Sequence, residues 1–394
     1  MKPAYPRYVD ANTLRPPLIT VELLFAVFCM ASFWISLTLP PLRHVTYLIP
    51  LCALILCLAL RKFVVPPHLL SYWLLVCVGI MLAPLSGRNG YQDIYLMLVG
   101  ISPFLLGYSY RFTWWQAFWV MAFGLIVSTV VTRLLGVGGG ELTLDLVGSK
   151  SSFESPWCFA FGVLSVWAIA TRRWKEAAVG ILFTVLTLKR IALLGVLVCL
   201  MLQLMPRRLT DLLLRPIPVL LFNIAALAVA VTYAQGGLDQ LIGEVMGMSA
   251  NQAGMGRKEL YYAPAVQLTE HLERYVFIGS GAGAVYDFLS VGFFAGRKLN
   301  LHNDLMKMVL EYGGLTFVGF IWLAFRARSW TLRLFWAYAN VLLITDNTLI
   351  YSYYIFCLGM MAMNAEADSR EQQQRPVPAP TRQPMRTPIQ PGRL

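Results

Sequence analysis

The chain is short of charge. Charged residues make up 13% of its 394, and only 20 positions are acidic, where a water-soluble protein carries about 25% charged residues. That is too little polar surface to coat several soluble domains, and it excludes a soluble enzyme. Cysteine and histidine are scarce as well, at seven and four. Cys29, Cys52, Cys57, Cys77, Cys158, Cys199 and Cys357 all fall inside apolar runs without CxxC or metal-ligand spacing, so they read as small core hydrophobes. HExxH, GxSxG and P-loop signatures are missing. No metal site and no cofactor site is expected.

What is present is apolar. Hydrophobic residues make up 58% of the chain and the mean hydropathy is +0.62. They come in runs of about 15–22 residues separated by short basic patches, and a helix needs about 20 apolar residues to span a bilayer. The expected fold is all-α: a polytopic membrane protein with spans near 18–38, 44–60, 68–86, 92–110, 114–135, 155–171, 174–188, 190–206, 213–234, 304–325, 330–346 and 348–365. The net charge of +12 would suggest nucleic acid in a soluble chain. Here Lys and Arg report topology, and no nucleic-acid partner is expected. With the N-terminus inside, 20 Lys and Arg fall on cytoplasmic segments and ten outside, five of those ten in one long loop. Both termini are therefore expected in the cytoplasm. The polar stretch MKPAYPRYVDANTLRPP precedes the first run and no small-residue cleavage site follows it, so an uncleaved first helix is expected.

The chain divides into a cytoplasmic segment 1–17, helices one to nine over 18–234, an outward loop domain 235–303, helices ten to twelve over 304–365 and a tail 366–394. The tail is rich in proline and arginine and is expected to be disordered. The loop domain reads as loop, an amphipathic helix near 257–275, the turn GSGAG at 279–283 and a short helical stretch. No internal repeat is visible, which counts against an inverted-repeat transporter.

Three outward features carry candidate chemistry. Lys189 and Arg190 interrupt a thirty-residue apolar run, 176–205. A single helix of that length would span about 45 Å, so two shorter helices meeting at the outer face are expected, with both cations at the turn. Lys189 there reads as snorkelling to lipid phosphates, and Arg190 as facing the protein interior. Arg257 opens the amphipathic helix behind two glycines, where free N–H groups and a guanidinium suit an anion. A solvated loop arginine is the competing reading. His302, followed by Asn303 and Asp304, lies where the long loop returns to the membrane. Imidazole there suits proton transfer from a hydroxyl, and a helix cap is the plainer alternative. Glu311, about two turns into the next helix, needs a partner and does not share a face with His302. Two arginines, a histidine and glycines are what an anionic leaving group and a hydroxyl nucleophile require.

These pieces resemble a known family. LTLKRIALLG (186–195), GRKELYYAPA (256–265), GSGAG (279–283) and HNDLMKMVLEYGG (302–314) are similar, in order and spacing, to the motifs of the bacterial O-antigen ligase and polysaccharide polymerase superfamily. Twelve spans with one large late periplasmic loop also match its architecture. The likeness covers roughly 180–320 by motif and the rest by topology only. Lys189 stands where the family commonly has serine, and Thr316 where a second glycine is usual.

The resemblance implies a multi-pass protein of the bacterial inner membrane that transfers a glycan from an undecaprenyl-diphosphate carrier at the periplasmic face, metal-independent and with inversion. Arg190 and Arg257 would bind the diphosphate and His302 would activate the acceptor hydroxyl. Lys189, Asn303, Gly279, Gly281 and Gly283 would line the substrate. The implied partners are the carrier-linked glycan, an acceptor glycan or lipid A-core, membrane lipids and a chain-length regulator. The favoured activity is polymerisation of repeat units. Ligation to lipid A-core is the first alternative, and a flippase without chemistry is the second.

Overall fold

The structure is a computed structural model, and it describes residues 20–85, 90–107, 111–134, 144–145, 150–151, 155, 157–187, 189–290, 299–327 and 329–374. Within those limits the chain is helical apart from one antiparallel bridge, Leu144–Asp145 against Lys150–Ser151. The rest of the glycine-rich stretch 137–153 and the tail beyond 374 lie outside the described residues.

In chain order the helices are α1 (Val21–Thr38), α2 (Leu48–Ala59), α3 (Leu70–Met81), α4 (Gly90–Ile101) and α5 (Trp114–Leu134). After the bridge come α6 (Trp157–Ala170), α7 (Trp174–Leu186), α8 (Arg190–Leu204), the short α9 (Arg207–Leu213) and α10 (Pro216–Ala234). The long segment that follows folds into α11 (Asp239–Met246), α12 (Ala250–Ala253), α13 (Arg257–Glu270), α14 (Leu272–Phe277) and α15 (Ala284–Leu289). The chain returns through α16 (Asp304–Tyr312), α17 (Gly314–Phe325), α18 (Trp330–Thr345) and α19 (Ser352–Gln374).

Four stretches are long and apolar enough to cross a membrane: α1, Pro41–Ala59 (α2 with its leading 3-10 turn), α5 and α10. Only 17% to 33% of each is buried, so most of their Leu, Val, Phe and Ile side chains face outward. An outward apolar surface of that extent is intolerable in water and natural in lipid. By contrast, thirteen of the fourteen residues of α6 are buried. The core therefore runs through α6, α16, α18 and α19, while α1, α2, α5 and α10 form the rim.

Small residues let the core helices close up, as membrane helix interfaces require. A Cβ on Gly162 would come 1.9 Å from the Tyr338 Oη, and one on Gly195 would come 2.7 Å from its Cδ2. Tyr338 thus lies between α6 and α8. The Cys199 Sγ–H, one turn further along α8, donates to the Leu334 carbonyl at 3.4 Å. Moving forward along α8 is therefore moving backward along α18. The helices are antiparallel, and the start of α8 shares an end of the bundle with the finish of α18.

Two boundaries differ most from the sequence expectation, while the helix expected near 257–275 is divided at His271 into α13 and α14 and the span expected over 92–110 is α-helical only to Ile101. The apolar stretch 304–325 is not one helix but α16 and α17, broken at Gly313 (φ +87°). The cause is the GSGAG segment, whose Ser280 and Gly281 N–H groups donate to the Leu310 and Glu311 carbonyls at 2.8 and 2.9 Å. Those carbonyls belong to the last turn of α16 and have no partner within it. The second difference is at the C-terminus, where α19 continues to Gln374, into the stretch 366–394 expected as disordered tail. Glu366 is held there by His68, with Nδ1 and Oε2 3.2 Å apart. The apolar run 176–205 does divide into two helices, α7 and α8, separated by residues 187–189.

Candidate functional site

His302 sits in the left-handed region (φ +55°) just ahead of α16, a conformation that costs an ordinary residue about 1–2 kcal/mol. Three neighbours hold it there. Its backbone N–H donates to the Asn347 Oδ1 at 3.0 Å, and its carbonyl accepts from the Tyr261 hydroxyl at 2.7 Å. Its Nδ1 lies 3.1 Å from the Asn347 Nδ2 and 3.6 Å from the Asp346 Oδ1. The ring is held on its Nδ1 side while 42% of its side chain stays exposed.

Asp346 is itself fixed. Its Oδ1 accepts the Asn347 N–H at 2.8 Å and the Tyr351 hydroxyl at 3.1 Å. Asp304 is buried at the start of α16 and accepts the Leu349 N–H at 2.9 Å and the Thr348 hydroxyl at 3.2 Å. The turn 346–349 is therefore bound to His302 and to the residue two places on, and the two move as one unit.

Arg257 reaches this unit through α13. Tyr261 is one turn after Arg257, which places the two on one face, close enough for the Arg257 charge to act on the Tyr261 phenol. Burial pushes the Tyr261 phenol up to about 12, with Arg257 pulling the other way. The hydroxyl therefore stays a donor to the His302 carbonyl across the neutral range. Gly256 at φ +83° sets the start of α13, and a Cβ there would meet nothing within 4 Å. Its role is backbone conformation.

Arg190 and Lys189 stand at the first residue and the N-cap of α8. The antiparallel packing puts them at the end of the bundle that carries Asp346. Lys189 is half-buried and Arg190 is exposed, against the expectation that Arg190 faces the protein interior. It begins its helix rather than lying within it, so its long side chain reaches solvent.

The remaining candidates have packing roles. Asn303 is buried and caps α16, its Oδ1 accepting the Met306 N–H at 2.9 Å. The cap predicted as the plainer role for His302 is thus made by its neighbour. A Cβ on Gly279 would lie 2.2 Å from the Glu311 carbonyl carbon. Gly281 (φ +93°) donates to α16, and Gly283 (φ +86°) starts α15. All three glycines serve the close approach of this loop to α16.

Beneath His302 lies a buried charge cluster. The Lys307 ammonium pairs with Asp93 of α4, lies 3.9 Å from the Glu311 Oε2 and sits 5.0 Å from the centre of the Tyr286 ring. The Tyr286 hydroxyl donates to the Asp93 Oδ1 at 3.4 Å and the Asn300 Oδ1 at 2.9 Å. The Glu311 Oε1 accepts the Val285 N–H at 3.3 Å. Glu311 therefore has its partners, and His302 is not among them. Among the described residues, no three His, Cys, Asp or Glu side chains gather as a metal site.

Sequence reasoning missed Tyr261, Asp346 and Asn347. The available signal was the polar quartet Thr345–Thr348, TDNT, standing between two apolar runs. Compared with family models, curated proteins and solved structures, the chain matches none.

Proposed function

We propose that the protein is a metal-independent, inverting glycosyltransferase of the bacterial inner membrane that uses an undecaprenyl-diphosphate-linked glycan at the periplasmic face, with polymerisation of repeat units as the favoured activity. Twelve crossings, with both termini inside and 235–303 outside, are part of this reading. The observation that carries it is a set of contacts on one residue, Asp346 and Asn347 against the His302 ring and Tyr261 on its carbonyl, with Arg257 one helical turn before Tyr261. A proton acceptor is thereby held beside the helix turn that carries a cation.

In the proposed reaction the acceptor hydroxyl gives its proton to His302 while its oxygen bonds to the anomeric carbon. The bond from that carbon to the diphosphate breaks with inversion, and the carrier leaves as the diphosphate anion. Asp346, 3.6 Å from the His302 Nδ1, and Asn347 orient the ring for that transfer. Arg257 faces the charge that develops on the leaving group, with Arg190 at the same end of the bundle. Stabilisation of that charge is the largest catalytic contribution to expect.

Ligation to lipid A-core uses the same groups with another acceptor. A flippase or permease is the second reading, and the helix break at Gly313 beside the buried Lys307 cluster favours it, since transporters use discontinuous helices around buried charge. The test is the glycan profile and the lipid-linked intermediates of a deletion strain carrying wild type, His302→Ala or Asp346→Asn. Single repeat units without long chains, on the carrier or on lipid A, are expected for the lost polymerase. Long chains stranded on undecaprenyl diphosphate would mean a ligase. Full wild-type polymer from His302→Ala at normal protein level would overturn the catalytic reading and favour the transporter.

A further inference from the structure

The segment after α10 begins with a helix that packs on almost nothing. None of the residues of α11 is buried, and it touches the body of the protein chiefly through α12 and one ion pair, Asp239 to Lys258 of α13. It is nonetheless strongly two-sided. At 100° per residue, Leu238, Leu241, Ile242, Val245 and Met246 fall on one face, and Asp239, Gln240, Gly243 and Glu244 on the other. The polar face is internally satisfied, with the Gln240 amide donating to the Glu244 Oε1 at 2.9 Å. The apolar face is bare, with Leu241 59% and Val245 75% exposed.

Water does not tolerate that arrangement for nothing. Three large side chains left wet forgo about 1.5–3 kcal/mol each. What adjoins α11 identifies its occupant. Only residues 235–238 separate it from α10, which is long and apolar enough to cross a membrane and carries Ile217, Leu221, Phe222, Ile224 and Val229 on its outside. A bilayer around α10 must end where α10 ends, at the level where α11 begins. Exposed Met248 and Met255 extend the apolar surface beyond α11.

We propose that α11 lies flat in the interface of the bilayer that α10 crosses, with Leu241, Val245 and Met246 among the acyl chains and Asp239, Gln240 and Glu244 in the headgroup layer. Helices of this pattern bury their apolar face about 5–10 Å below the headgroup boundary. The helix carries two acids and no base, so apolar burial and not attraction to anionic lipid holds it there. The Asp239–Lys258 pair then ties the start of α13, and with it Arg257, to the headgroup level. Under the proposed reaction this is the depth of the carrier's diphosphate, but the lodging of α11 rests only on α10 spanning the membrane.

The experiment uses the full chain in phosphatidylcholine nanodiscs with the photo-crosslinker p-benzoylphenylalanine at Val245, at Gln240 on the opposite face, or at Leu221 on α10. After irradiation, intact mass should show a phospholipid adduct at Leu221 and at Val245, several-fold weaker at Gln240. The yield at Val245 should not rise when anionic lipid is added. An adduct at Leu221 with none at Val245 would overturn the proposal. So would a covalent dimer from Val245, which would make the face a contact between copies of the chain. No lipid adduct at Leu221 would remove the membrane crossing on which α11 depends, and the proposal would fall with it.

Discussion

Replacing Lys307 with methionine tests how α16 is held. Its side chain is 4% exposed and that of Asp93 2%, so water does little to screen either. The substitution keeps the volume and removes the cation, leaving the Asp93 carboxylate with the Tyr286 hydroxyl at 3.4 Å as a weak remaining donor. It also removes the positive charge between Asp93 and Glu311. Taking one partner from a buried pair costs about 3–5 kcal/mol, which matches the roughly 4 kcal/mol that two unit charges 4 Å apart exchange at an effective dielectric of 20. The folding equilibrium constant should fall by at least two powers of ten. Asp93→Asn should cost a comparable amount by leaving the ammonium without its main counter-charge. The double variant Asp93→Asn with Lys307→Met removes both charges together, and should recover all but about 1–2 kcal/mol. SDS-driven unfolding in mixed micelles, followed by tryptophan fluorescence, reads all four chains. Single variants within about 1 kcal/mol of wild type, or a double variant that loses the sum of both, would refute the reasoning.

Three further outcomes follow from particular contacts. Gly279→Ala drives a methyl against the Glu311 backbone at 2.2 Å and should cost about 1–3 kcal/mol or more; Gly256→Ala meets open space and should cost only the left-handed strain of about 1–2 kcal/mol, a ranking that the same titration checks. Asn223 and Asn340 exchange amide hydrogen bonds at 2.8 and 2.9 Å between α10 and α18, so Asn223→Leu should lose about 1–3 kcal/mol by stranding the Asn340 amide, and Asn223→Leu with Asn340→Leu should be nearly neutral. Tyr261→Phe should cost about 0.5–1.5 kcal/mol and lower turnover with little change in protein level, because the His302 carbonyl loses its donor. The raised Tyr261 pKa means that the folded state favours the neutral phenol. Its contribution to stability is whole below the ordinary value of 10.0 and is lost as pH rises from there toward 12, so unfolding scans from pH 9 to about 12 should show a smaller alkaline loss in the Phe variant than in wild type.

The all-helical character and the presence of runs long enough to cross a membrane were legible in the sequence because both depend on composition and run length. A stretch such as Pro216–Ala234 is helical in any apolar solvent, since its backbone groups have no other partner there. The break between α7 and α8 was legible too, because thirty apolar residues exceed the thickness of a bilayer and the two cations cannot lie at its centre. The position of His302 at the return of the long loop could be read from the run of polar residues beside it. These are one-dimensional facts, and the chain carries them locally.

What joins His302 to anything else was decided only in three dimensions. Asn347 and Asp346 are more than forty residues away and meet the ring because α18 packs against α8 over Tyr338 and ends beside the start of α16. Tyr261 reaches the same residue from the other side of the sequence. The split of 304–325 has a local signal in the Gly313-Gly314 pair, but the 279–283 turn that donates its N–H groups to the end of α16 is a tertiary contact. Lys307 and Asp93, 214 residues apart, each look like an isolated error in an apolar stretch until packing brings them together. Local pattern determines which segments are helices, whereas packing decides which of the apolar ones, α6 or α10, is buried. The pairing of buried polar groups is a property of contacts between helices, and no period in the sequence encodes it.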